Sequence, residues 1–141
     1  AMLNVRKNKK QSIQIEKEYK ALCSKLGLAS NHGHKITNHD SVSNTECKKN
    51  EILQMSMLNP DLIILDEIDY GVEEDEIKPL ATYIKSFLTK TKAAIVITHS
   101  HTLLDILKPT HVHVMVEGTI REQGNIDLYK RIVEDGYSQF S

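Results

Sequence analysis

Two unbroken apolar runs constrain this chain more than any other feature. Leu62-Ile63-Ile64-Leu65 closes on Asp66-Glu67, and Ala93-Ala94-Ile95-Val96-Ile97-Thr98 closes on His99. Runs without alternation are the pattern of strands covered on both faces of a parallel sheet. A hairpin cannot join parallel neighbours, so a crossover must lie between the runs. The intervening stretch supplies one, with a turn at Asp69-Tyr70-Gly71 and a helical pattern from Glu74 to Leu88. That length suits a right-handed βαβ unit. Pro79 falls inside the pattern, so the helix either bends there or starts late, because proline is at home only in a first turn. The fold class is therefore α/β.

The flanks read as follows. Ile15, Tyr19, Leu22, Cys23 and Leu26 recur at helical steps between Gln11 and Leu28, with Gly27 as the stop. Residues 29–45 are polar and aperiodic, and predict a loop. A second helix is expected from Ser43, which pairs with Glu46 as a capping box, with Ile52, Leu53, Met55, Met57 and Leu58 on the buried side until Asn59-Pro60. Beyond the second run, a short helix over Thr102–Leu107 stops at Lys108-Pro109. A strand over His111–Val116, a turn at Glu117-Gly118 and a strand over Thr119–Glu122 make a hairpin, and a last helix runs from Ile126 to Glu134. Composition changes at Pro60, giving a helical segment 1–58 and an α/β segment 59–141.

Charge is divided unevenly. Residues 1–50 carry ten Lys/Arg against four Asp/Glu, and residues 51–141 carry eight against fifteen. The lysines of the first part are scattered and Tyr19 is its one aromatic residue, so no nucleic-acid partner is expected. No apolar run approaches the roughly 20 residues of a membrane span, so no direct membrane insertion is expected either. Two cysteines without a framework spacing suggest a reducing compartment.

In an open α/β sheet, chemistry gathers at the carboxyl ends of the strands. Asp66 and Glu67 are adjacent, so alternation sends their side chains to opposite faces and assigns them different tasks. One carboxylate at a strand end can support Mg²⁺, while its neighbour polarises an attacking water. His99, ending the second run, can read a phosphate oxygen. Other clusters read as structural. Cys23, His32, His34 and His39 match no closed zinc spacing, His111 and His113 suit a packed or surface strand, and Glu73 to Glu76 suit a solvated helix start.

These residues carry a family resemblance. Leu62 to Glu67 (LIILDE) resembles the Walker B strand of ATP-binding cassette ATPases, Asp69 to Glu73 (DYGVE) their D-loop, and Thr98-His99 their switch histidine. More narrowly, KKNEILQM at 48–55, ILKPTHVHVMVEGTIREQG at 106–124 and GYSQF at 136–140 resemble the SufC family, the ATPases of the SUF iron-sulfur cluster assembly system. The similarity covers residues 40–141, and the earlier helix resembles the family's helical signature subdomain.

The resemblance implies a partial P-loop NTPase fold of the ABC type, with residues 1–58 as the signature subdomain and 59–141 as the C-terminal half of the core. It implies ATP and Mg²⁺ as cofactors, with Asp66 in the metal shell, Glu67 as general base and His99 at the γ-phosphate. Asp69 and Gly71 fall in the D-loop. Ser43, Asn44, Thr45 and Glu46 stand where the family has SGGE, which caps the ATP of the opposite subunit; Asn44 and Thr45 replace both glycines. No G-x-x-x-x-G-K-[ST] loop is present. Truncation is the expected reason, and the 141 residues alone are expected not to turn over ATP. Implied partners are a second ATPase subunit and a SufB/SufD-type scaffold, in the cytoplasm or a plastid. The alternatives are an ABC transporter subunit, or a degenerate relative that serves as an interaction module.

Overall fold

The computed structural model describes residues 9–30 and 42–140. Helix α1 (Lys9–Lys25) is followed by Gly27 at φ +66°. Its Ile15 and Cys23 are buried, with Leu26 and Leu28 just beyond its end. Helix α2 (Asn44–Leu58) begins as its sequence predicts. The Ser43 hydroxyl accepts the Glu46 amide at 3.2 Å, and the Ser43 amide donates to Glu46 Oε2 at 3.2 Å. Two of the helix's orphan donors are thereby satisfied reciprocally. Asn59 closes the helix in the left-handed region at φ +50°.

Strand β1 (Leu62–Asp66) pairs parallel with β2 (Ala93–Ile97), in a register from Leu62 opposite Ala93 to Asp66 opposite Ile97. Helix α3 (Glu74–Phe87) is the crossover, and α4 (His101–Leu107) follows β2. A late start at Pro79 is excluded, since α3 begins at Glu74 and passes through the proline. The core joins Ile52 and Leu53 of α2, Ile63 and Leu65 of β1, and Leu80 and Ile84 of α3, all at most 6% exposed.

Three expectations about burial are corrected. The apolar runs are covered on one face only: Ile63 and Leu65 are buried, whereas Leu62, Ile64, Ile95 and Ile97 are 50–64% exposed. An apolar run records what a strand tolerates on each side, and among the described residues only one side is packed. In α2 the inward face is completed by Thr45, Lys49 and Ser56, while Met55 and Met57 are half-buried and Leu58 is 64% exposed. The Ser56 hydroxyl donates to the Ile52 carbonyl at 2.8 Å and accepts from Tyr83 at 2.9 Å. Lys49, 8% exposed, meets Glu76 at 2.9 Å. The acidic start of α3 is thus not wholly solvated.

The first compact unit runs to Ile106 and a second begins at Leu107. In the second, β3 (Val112–Val116) and β4 (Thr119–Gly124) are antiparallel, with an irregularity between Val114 and Met115. Glu117 and Gly118 both have positive φ, as the tightest hairpin turn requires. Helix α5 (Ile126–Asp135) is capped by Asn125, and the short turn Ser138–Phe140 returns Phe140 to Val114 and Leu128. His111 lies just before β3, with Nδ1 at 3.0 Å from the Thr110 hydroxyl.

Removing the half-buried Glu76 carboxylate leaves the buried Lys49 charge without its partner. Glu76→Gln is therefore expected to destabilise the chain by about 1–2 kcal/mol, whereas Lys49→Met combined with Glu76→Leu should cost less than the single change. Urea denaturation of both variants checks the order.

Candidate functional site

The parallel ladder sets β1 and β2 side by side, so their carboxyl ends emerge together. The ladder continues one bond past the strands, with the Glu67 amide donating to the Ile97 carbonyl at 2.9 Å. Here the chain turns. Glu67 sits at φ +47°, in the left-handed region, and its carbonyl accepts the Tyr70 amide at 3.0 Å. Strand alternation therefore no longer sets the direction of its side chain. Glu67 Oε1 instead lies 3.8 Å from His99 Nε2, with both side chains at least half exposed. Asp66, the last residue of β1, shares the open face with Leu62 and Ile64 and is itself exposed.

The loop after Glu67 is short and tied down. The Val72 amide donates to the Asp69 carbonyl at 3.2 Å, and Gly71 takes φ +72°. Glycine also leaves room for Asn44, since a Cβ at 71 would stand 2.9 Å from Asn44 Nδ2 and displace that side chain. Asp69 Oδ1 accepts the Thr98 hydroxyl at 2.7 Å, and that hydroxyl in turn accepts the Ser100 amide at 2.9 Å. At the loop's far end the Glu73 amide donates to Thr45 Oγ1 at 3.1 Å.

The residues singled out from sequence fall into two groups along this loop. Asp66, Glu67 and His99 stand at the strand ends, with Glu67 facing His99. Ser43, Asn44, Thr45 and Glu46 form the first turn of α2, where Ser43 and Glu46 satisfy one another and Asn44 and Thr45 meet Gly71 and Glu73. Asp69 and Gly71 lie between. Sequence reasoning missed the work of Thr98 and Thr45, whose hydroxyls hold the loop. The available signal was Thr98 beside His99 at a strand end. Among the described residues no group of three or more His, Cys, Asp or Glu side chains is gathered for a metal, and the histidines at 32, 34 and 39 lie outside them. A lone exposed carboxylate such as Asp66 still suits Mg²⁺, which keeps its waters and takes few protein ligands. No helix among the described residues is long and apolar enough to cross a membrane.

No family model matches the chain. It is 40% identical over 116 residues to the iron-sulfur cluster assembly protein SufC of Plasmodium falciparum, a match covering 82% of this chain and 33% of that protein. It is 41% identical over 95 residues to the probable ATP-dependent transporter SufC of Escherichia coli, covering 67% and 38% respectively. It is 39% identical over 103 residues to the chloroplastic ABC transporter I family member 6 of Arabidopsis thaliana, covering 73% and 30%. The chain thus spans about a third of the length of these curated relatives. Among solved structures, an SMC ATPase chain superposes with a TM-score of 0.54 at 16% identity, over 69% of this chain and 62% of that one. The fold is a partial ABC ATPase-like α/β fold, as expected from sequence.

A left-handed backbone at a side chain other than glycine costs about 1–2 kcal/mol. Glu67→Gly is accordingly expected to raise stability by about 1 kcal/mol, while removing the carboxylate from His99. A urea midpoint no higher than that of the parent would show that strain at Glu67 does not exceed the entropy that glycine adds to the unfolded chain.

Proposed function

We propose that this chain, a homologue of SufC-type ABC ATPases over most of its length, supplies the water-activating and signature elements of an ATPase that serves iron-sulfur cluster assembly. The observation that carries this reading is Glu67 Oε1 at 3.8 Å from His99 Nε2, at the shared carboxyl end of two parallel strands. In this role Glu67 accepts the proton of the attacking water. His99, whose Nε2 stands 3.8 Å from the Glu67 carboxylate, orients against the terminal phosphate. Asp66, exposed at the end of β1, is the residue that would hold Mg²⁺, which supplies charge neutralisation on the phosphates. The first turn of α2 offers the amides of Asn44 and Thr45 to a nucleotide, with the helix dipole favouring negative charge there.

The cluster-assembly role extends to this chain what the Plasmodium falciparum relative's name says of that protein. A SufB/SufD-type scaffold and a second ATPase subunit are the partners proposed with it. A plastid is one proposed location, in keeping with the chloroplastic Arabidopsis relative.

General-base removal costs about 10²–10⁴-fold in rate. In a longer chain that carries a phosphate-cradling loop and turns over ATP, Glu67→Gln is expected to lower turnover by at least 100-fold while nucleotide binding persists. Unchanged hydrolysis would sink the assignment. The 141 residues alone, which contain no phosphate-cradling loop, are expected to give no steady-state ATPase activity, and measurable turnover would overturn that expectation.

A further inference from the structure

Thr45 stands at a position where the resemblance calls for glycine, yet it is 6% exposed and its hydroxyl is used. Glu73, whose amide it accepts at 3.1 Å, is the cap residue of α3 and has no side-chain cap bond of its own. Asn44 packs on Gly71 in the same loop. From Glu73 the path continues through the Val72–Asp69 turn at 3.2 Å, from Asp69 to the Thr98 hydroxyl at 2.7 Å, and from Thr98 to the Ser100 amide at 2.9 Å. Residues 98 and 100 flank His99. The same loop begins at Glu67, whose amide and carbonyl are both bonded. Two threonine hydroxyls therefore clamp loop 67–73 at one end to the first turn of α2 and near the other to the residues around His99.

We infer that Thr45 is a positioning residue, coupling the first turn of α2 to His99 through loop 67–73 and the Thr98 hydroxyl. A glycine there offers only a close backbone approach. Thr45 replaces that freedom with a strut, so whatever engages the first turn of α2 also bears on the geometry opposite Glu67. The catalytic consequence rests on the reading of Glu67 and His99 given above; the mechanical coupling does not.

A double-mutant cycle read by NMR on the 141-residue chain without nucleotide tests the coupling. Thr45→Val removes the acceptor at nearly constant shape, and is expected to accelerate exchange of the Glu73 amide at least tenfold. It should also shift the Asp69 and Thr98 amide resonances and the His99 ring resonances. Thr45→Ser should restore the parent values. Thr98→Val should shift the His99 ring by itself, and in that background Thr45→Val should move it no further. Resonances of His99 unmoved by Thr45→Val, or moved equally with and without Thr98, would overturn the coupling. If Thr45→Val compromises the core, judged by the Ile52 and Ile84 methyl signals, Thr45→Ala removes the same acceptor with less bulk and carries the same comparison. No ATP enters the measurement, so its failure is separate from that of the Glu67→Gln test.

Discussion

The parallel pairing of β1 with β2 is the constraint on which the rest depends. Its register puts Asp66 opposite Ile97, and the bond from Glu67 to Ile97 carries that alignment one residue past the strands. A shift of one residue would move Glu67 away from His99 and exchange the covered and open faces of the strand. Two strands alone are a weak sheet. The register is held by the packing of Ile63 and Leu65 beneath it and by ties at the strands' starts, where the Ala93 amide donates to Asp61 and Lys92 Nζ donates to the Pro60 carbonyl. The geometry at one end of the ladder is thus secured by packing and polar contacts along its length and at the other end.

Elements with a local cause were legible in the sequence. The Ser43–Glu46 box, the glycine after α1 and the Glu117-Gly118 turn each need only a few neighbouring residues, and each forms as read. The parallel pair was legible from two apolar runs separated by a crossover. Burial was less so. Leu58, Leu62 and Ile64 are as apolar as Ile63, and nothing local says which of them a helix will cover. The inward places of α2 taken by Thr45, Lys49 and Ser56 were invisible for the converse reason: polar residues are buried only where a distant group, here Glu73, Glu76 or Tyr83, meets them.

At the strand ends, which residues would stand near one another was legible and their geometry was not. Asp66, Glu67 and His99 could be named because strand ends are where an α/β sheet exposes function. Their arrangement could not be derived by alternation, because Glu67 leaves the strand through a positive φ that strand periodicity does not foresee. Asp66 stays on the open face with Leu62 and Ile64, while Glu67 turns to His99. The divergence of the two carboxylates is reached through backbone conformation.

The same logic bears on the first turn of α2. Two glycines would leave that turn smooth and its contact with loop 67–73 slight. Asn44 and Thr45 fill the gap instead, one against Gly71 and the other on the Glu73 amide. Thr45 stands in the first turn of a helix, where its β-branched side chain crowds no preceding turn, so the substitution demands little of the backbone. What changes is the freedom of the two segments to move independently. With glycine, a ligand at the helix start and a carboxylate at the strand end are coupled only through the fold. With Thr45 in place, its hydroxyl ties the helix start to loop 67–73, and the loop is obliged to follow the helix.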